Sequence, residues 1–250
     1  FTLTVGLGGF PYREEIVFAG SMTIVLFLMS RMMRELEPDK RLTLVGTAAV
    51  VFSLRAIPGT GPGATWWMID QLKFDQQFLS VLSLIGCVVS LVGMFLFRRF
   101  MAELSIMYVV GFLTIVGTLL ALPIAGLYYG LHEWTARLSG GVVDARFIAL
   151  VDTALESPLV QISMIPMLAW IANSAPANLK ATFFAVMASF TNLALSFSQL
   201  GTKYLNEIFA VTREVRDQAT GTIQTAADYS QLGELFIVQL LLGLALPFSA

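Results

Sequence analysis

Two acidic residues, Asp152 and Glu156, lie within the apolar run Phe147–Ala172. They are four residues apart, so on an α-helix they share one face. Two like charges so placed repel each other unless they face a wet cavity, share a proton or meet a cation. The pattern predicts a functional carboxylate pair, Asp152 and Glu156, in which Glu156 is the candidate proton carrier. The alternative is that the helix begins later and both acids lie in the headgroup layer.

Arg55 is the second candidate functional residue. It lies just inside the outer end of the run Leu42–Ile57, where a charge is costly unless it snorkels or pairs. The prolines and glycines of 58–63 then end the helix and permit a tight turn. No Gly-Lys-Ser/Thr follows, so this is not a phosphate loop. We expect Arg55 to pair with Asp152 when no solute is bound. Trp67, further along, offers either an interfacial anchor or a stacking face.

The composition bounds the class of protein. The chain has 250 residues, of which 56% are hydrophobic and 13% charged, and its mean hydropathy is +0.76. Soluble domains have about 45–50% apolar and about 25% charged residues, so a soluble or disordered protein is excluded. The net charge of −2 argues against nucleic-acid binding. Cys87 is the one cysteine of the sequence and His132 its one histidine. We therefore expect no metal site, no cofactor and no enzyme of the Ser–His–Asp kind.

The elements that position these side chains are runs of apolar residues. The length of each run is close to the ~20 residues that a helix needs to cross a bilayer. The sequence predicts an all-α polytopic membrane protein with about seven transmembrane helices. Gly86–Ser90 and Ala185–Ser189 have small residues at both ends of a five-residue segment, which predicts close helix packing. The predicted spans are Ile16–Ser30, Leu42–Ile57, Phe78–Phe97, Leu104–Tyr129, Phe147–Ala172, Ala181–Tyr204 and Gly233–Ala250.

Basic residues set the predicted orientation. They concentrate in two short connections, Arg31–Arg41 and Arg98–Arg99, which places these on the cytoplasmic side. The longer, acidic connections are predicted outside; they are Pro58–Gln77, Gly130–Arg146 and Leu205–Leu232.

Both ends of the chain indicate a piece of a longer protein. The sequence begins without Met and stops at an apolar run. A carrier built from two related halves has about twelve spans, and seven equal one half plus one helix. Residues 1–41 then provide the penultimate helix of the N-terminal half and a short cytoplasmic linker, and residues 42–250 a C-terminal six-helix bundle.

Three stretches in order carry a family resemblance. Their positions are Arg55, Pro58-Gly59, Trp67, Asp70, Phe74-Asp75 and Phe78, then Asp152 and Pro166, then Pro176, Ala181–Ala185, Ser189 and Asn192. With these residues the sequence resembles the folate–biopterin transporter family of the major facilitator superfamily, most of all its cyanobacterial and plastid members. The seven spans look like helices six to twelve of a twelve-helix carrier. One departure is Lys180, where many family members have an acid.

The resemblance implies a secondary active transporter of folate or pterin solutes, working by proton symport and alternating access. Carboxylates accept hydrogen bonds from the amino edge of a pterin, an Arg clamps a tail carboxylate, and an aromatic ring stacks on the heterocycle. Asn192, in mid-span, serves either the solute or an interhelical hydrogen bond. The predicted solute-binding residues are Arg55, Trp67, Asp70, Asp152, Phe183 and Asn192.

The alternative is a non-transporting subunit or assembly factor of a photosynthetic complex. His132 would then ligate a chlorophyll magnesium from the outer loop. In either case we expect a multi-pass protein of a bacterial plasma or thylakoid membrane. Its partners would be the lipid bilayer, the rest of the same protein and, for the alternative, a membrane protein complex.

Overall fold

The computed structural model describes residues 5–8, 11–36, 38–103, 106–174, 180–217 and 220–249. Side-chain statements leave out residues 39–40, 43, 47, 98–103, 106–107 and 160–174. In this part of the chain we number nine helices and two short strands. They are α1 Arg13–Arg34, α2 Pro38–Arg55, α3 Pro62–Asp70, α4 Gln76–Glu103, α5 Ile106–Tyr128, α6 Leu131–Leu138, α7 Ala145–Ser174, α8 Lys180–Ile208, β1 Val215–Arg216, β2 Ile223–Thr225 and α9 Leu232–Phe248.

Each predicted span lies on a helix: α1, α2, α4, α5, α7, α8 and α9. Four described helices are long and apolar enough to cross a membrane, at Arg13–Arg34, Gln76–Phe97, Tyr108–Tyr128 and Lys180–Ile208. Leu44–Arg55 and Leu232–Phe248 are shorter apolar segments. The prediction of an all-α polytopic fold is confirmed, and the chain is an integral, multi-pass membrane protein.

The long helices form one bundle in which α7 packs along α4 and α5. Helix α9 packs on α5, and α8 packs on α1 and α2. The α1–α2–α8 contact buries one apolar cluster that includes Met29, Val51 and Met187. A second cluster lies at the other end of the bundle and includes Phe74, Leu127 and Leu235.

Small residues bring α4 and α7 together. A Cβ on Gly86 would lie 3.0 Å from the Ser157 hydroxyl, and one on Gly93 would lie 2.6 Å from Pro158 Cβ. The Ser90 hydroxyl donates to the Ser157 carbonyl at 2.9 Å. The Gly86–Ser90 packing prediction is therefore confirmed. Ala185 and Ser189, by contrast, are exposed on α8.

The three long connections are more ordered than the sequence indicates. They contain α3, α6 and the antiparallel pair of β1 and β2, which is the one departure from all-α structure within the described residues. Their apolar residues share the second cluster, so the three connections lie at one end of the bundle. Residue Trp67 of α3, Ala145 at the start of α7 and Tyr229 before α9 meet there.

Asp75 fastens two helices at this end. Its Oδ1 accepts a hydrogen bond from the Phe78 backbone N–H at 2.7 Å, which caps α4. Its Oδ2 lies 2.9 Å from Arg146 Nη2 on α7. The hydrogen bond from Phe78, followed by the bond and charge of Arg146, lowers the pKa of Asp75 below its ordinary value. The Phe74-Asp75 and Phe78 positions of the resemblance are therefore structural.

Candidate functional site

A cavity of about 230 Å³ lies between α2, α5, α7 and α9, and most of its wall is aliphatic. Five polar side chains interrupt that wall, two of them charged. An apolar cavity with a few convergent polar groups is the usual form of a small-molecule site. The polar wall residues are Arg55, Thr114, Thr118, Glu156 and Gln239.

Arg55 is the last residue of α2 and lines the cavity. Its Nη2 atom is buried and has no hydrogen-bond partner among the described residues. A buried guanidinium N–H without an acceptor is costly. The guanidinium group has five N–H donors and no acceptor, so only an acceptor from outside the side chain can satisfy it. The Arg55 side chain therefore has unused capacity to bind an acceptor.

The turn after Arg55 is held against α8 by hydroxyl and amide groups spaced four residues apart. The Ser198 hydroxyl donates to the Ile57 carbonyl at 2.6 Å. The Gly59 N–H donates to the Thr202 hydroxyl at 2.8 Å, and Asn206 donates to the Thr60 carbonyl at 3.4 Å. These bonds fix the end of α2 and with it the base of the Arg55 side chain. The sequence reasoning missed this row, although its four-residue spacing on α8 was visible.

Asp152 and Glu156 both lie within helix α7. The helix begins at Ala145, so they are ~10 and ~16 Å from its start at ~1.5 Å per residue. Asp152 is 5% exposed, and its Oδ1 has no hydrogen-bond partner among the described residues. Glu156 lines the cavity, whereas Asp152 lies one turn away and is not in the cavity wall. The helix therefore does not begin after the two acids, and their depth in the bilayer stays a prediction.

The expected pairing of Arg55 with Asp152 is not found. The ion pairs among the described residues do not include these two side chains, and each has a buried atom without a partner. The reason is their placement, since Arg55 faces the cavity and Asp152 does not. Arg55 and Glu156 are the two charged residues that the cavity brings together.

The two aromatic candidates are core residues in this structure. Trp67 is 6% exposed, with its ring 5.6 Å from that of Tyr128 and 6.5 Å from that of Phe236. Phe183 is 1% exposed within the α1–α2–α8 cluster. Neither residue is in the cavity wall.

Asp70 lies at the end of α3, away from the cavity. It accepts a hydrogen bond from the Tyr229 hydroxyl, and its Oδ1 lies 3.5 Å from Arg213 Nη2. Burial, together with the hydrogen bond to Asp70, raises the pKa of Tyr229 to about 12. Asp70 therefore ties α3 to the connection between α8 and α9.

The remaining candidates are dispersed. Asn192 is exposed on α8, and its side chain makes no hydrogen bond to another described residue. His132 Nδ1 is buried without a partner among the described residues. Lys180 is exposed at the start of α8. Pro166 and Pro176 lie outside the residues whose side chains are described.

The chain is similar to known proteins over most of its length. The profile of the BT1 family matches residues 19–250. A protein of Synechocystis sp. (strain ATCC 27184 / PCC 6803 / Kazusa) named "Folate-biopterin transporter" is 28% identical over 157 residues, which are 62% of this chain and 31% of that protein. The chain therefore aligns with about a third of the relative's length. No solved structure matches the chain. Because the family profile covers all but the first 18 residues, the chain belongs to the BT1 family.

Proposed function

We propose that the protein containing this chain is a secondary active transporter of folate or pterin solutes, and that the cavity between α2, α5, α7 and α9 forms part of its solute site. One observation carries the proposal: Arg55 and Glu156 line the same cavity, and no ion pair joins them. Opposite charges left apart in an apolar wall suit a guest that bonds to both.

The chemistry of pterins and folates matches these two groups. The amino and ring N–H edge of a pterin offers two adjacent donors, and a carboxylate such as Glu156 accepts both. The tail of a folate ends in carboxylates, and a guanidinium such as Arg55 binds a carboxylate in two-point geometry. The name of the Synechocystis relative supports this solute class.

Proton coupling follows from the position of Glu156. A carboxyl group in an apolar wall is more stable when it is neutral, unless a cation or donor meets it. Binding of a proton, or of a solute with an N–H edge, therefore satisfies the same group. The proton taken up from the acidic side would be released on the other. Asp152 lies one turn away. Repulsion between the two carboxylates would favour a state in which only one of them is charged.

Alternating access requires a second wall. In carriers of two related halves, the halves rock around a central site. The chain aligns with about a third of its relative, so we propose that another part of the full-length protein supplies the opposite wall. Seven helices alone should not transport. The site of action would be a bacterial membrane, plasma or thylakoid.

Uptake of labelled folate and biopterin by the full-length protein tests this function. The host would lack its own uptake system, and the assay would run with and without an uncoupler. We expect uptake above the empty-vector level that the uncoupler abolishes. Absence of uptake of either solute at a verified membrane level would contradict the proposal, and uptake unaffected by the uncoupler would remove the proton from it.

A further inference from the structure

Thr114 differs from three other helical threonines in how its hydroxyl is bonded. The hydroxyls of Thr118, Thr191 and Thr202 donate to the carbonyl four residues earlier, at 2.7, 2.9 and 2.8 Å. Such bonds are the ordinary way to satisfy a hydroxyl inside an apolar helix. The Thr114 hydroxyl is buried, the residue is 5% exposed, and it has no partner among the described residues. Its hydroxyl is thus unsatisfied at the cavity wall.

Gln239 is the second neutral polar group of the cavity. It lies on α9, and its amide makes no hydrogen bond to another described residue. An amide offers two donors and an acceptor with two lone pairs, and a hydroxyl offers one donor and two lone pairs. Thr114 on α5 and Gln239 on α9 therefore give the cavity neutral hydrogen-bonding capacity that the fold itself does not use.

The size of the cavity limits what these groups meet. Pockets for drug-sized ligands have volumes of about 300–1,000 Å³, and this cavity has about 230 Å³. The part of the site that this chain forms has room for a bicyclic heterocycle but not for a whole folate, whose glutamate tail would extend past Arg55 toward the rest of the full-length protein. The part of the solute in reach of Thr114 and Gln239 is then the ring.

We propose that Thr114 and Gln239 are specificity-determining residues that recognise the ring carbonyl edge of a pterin. This inference rests on the proposed function and adds a division of labour to it. Arg55 and Glu156 supply charge, which binds many anions and N–H edges. Thr114 rejects rings that lack a matching carbonyl, because its buried hydroxyl would be left without a partner. Gln239, which is half-buried, adds a second donor to the same carbonyl edge.

Competition with two pterin-sized rings tests the inference. Uptake of labelled biopterin by the full-length protein is measured against unlabelled pterin and against 2-aminopteridine. The second ring lacks the ring carbonyl and also the ring N–H that faces Glu156, so the change of preference in the variants carries the test. We expect wild type to prefer pterin by tenfold or more. Thr114→Val and Gln239→Leu should each reduce that preference by about fivefold, mainly by weakening the competition by pterin.

Thr191→Val is the matched control, since its hydroxyl is also buried on a helix but is bonded within that helix and lies outside the cavity wall. It should leave the preference unchanged. Thr114→Val should also keep or raise the Tm, because it removes an unsatisfied hydroxyl at constant shape. A fall in Tm would instead mark Thr114 as a structural hydrogen-bond donor and overturn its assignment.

The outcomes separate the two proposals. If wild type takes up biopterin but does not distinguish the two rings, or if Thr114→Val and Gln239→Leu leave its preference intact, the inference is wrong and the proposed function stands. If wild type takes up no biopterin, the proposed function itself fails and the inference falls with it.

Discussion

Arg55 and Glu156 face one cavity from different helices, and no ion pair joins their side chains. Arg55 is fixed at the end of α2 by a turn bonded to α8, and Glu156 is fixed on α7. Charged side chains at membrane depth are retained where they serve a pathway or a site. The separation of these two suggests a site that a solute completes, and the predictions below follow from it.

Replacing Arg55 with Ala should lower uptake by the full-length protein by about 10- to 100-fold, because a charged hydrogen bond to the solute is lost. The measurement is initial uptake rate at equal membrane level. Arg137→Ala is the control, since Arg137 is 81% exposed on α6 and should behave as wild type. Normal uptake by the Arg55 variant would remove this residue from the site.

Glu156→Gln should uncouple transport from protons. The amide keeps the shape of the side chain but cannot load or release a proton. We expect solute exchange across the membrane to persist at a reduced rate, because the amide offers one acceptor oxygen where the carboxylate offers two. Accumulation driven by a proton gradient should be lost. Glu133→Gln, on the exposed face of α6, should leave accumulation unchanged. Gradient-driven accumulation by Glu156→Gln would assign the coupling to another group.

Gly201→Ala should disturb the turn that follows Arg55. An added Cβ would lie 2.8 Å from Pro58 Cγ, and overpacking of this kind costs about 1–3 kcal/mol. We expect a lower Tm of the purified protein and a reduced uptake rate. The control is Gly111→Ala on α5, where a Cβ meets nothing within 4 Å. Equal Tm values for the two variants would show that the turn adapts.

Asp75 should make the protein sensitive to acid. Its pKa in the fold is below the ordinary value of about 3.9, because the Phe78 N–H and Arg146 bind the ionised form. The stability it provides is therefore full above about pH 4 and is lost as the pH falls through the lower, folded pKa. Asp75→Ala should lower Tm at neutral pH and flatten its fall in acid. A Tm profile parallel to that of wild type would show that other carboxyls dominate.

The helical fold was predictable because each span is a long apolar run, and length and hydropathy suffice to define a membrane helix. The Gly86–Ser90 contact was predictable for a similar reason, since small residues let helices approach. The short helices α3 and α6 and the β1–β2 pair were not predicted. They depend on contacts such as Trp67 with Tyr128 and Thr212 with Asp228, which join distant parts of the chain.

The cavity was only half predictable. Arg55 and Glu156 were visible as charges in apolar runs, whereas Thr114 and Gln239 look like ordinary helix residues until α5 and α9 are placed together. Trp67 and Phe183 were expected to contact the solute because an aromatic residue has the same appearance in a core and in a site. Only burial and neighbouring rings distinguish the two.

The most direct test of the account is a density map of the full-length protein bound to folate. We expect density for the pteridine ring between α2, α5, α7 and α9, within hydrogen-bond distance of Glu156, with the folate tail directed to Arg55. Ring density elsewhere in the protein, with this cavity empty or with Arg55 and Glu156 paired to each other, would contradict it.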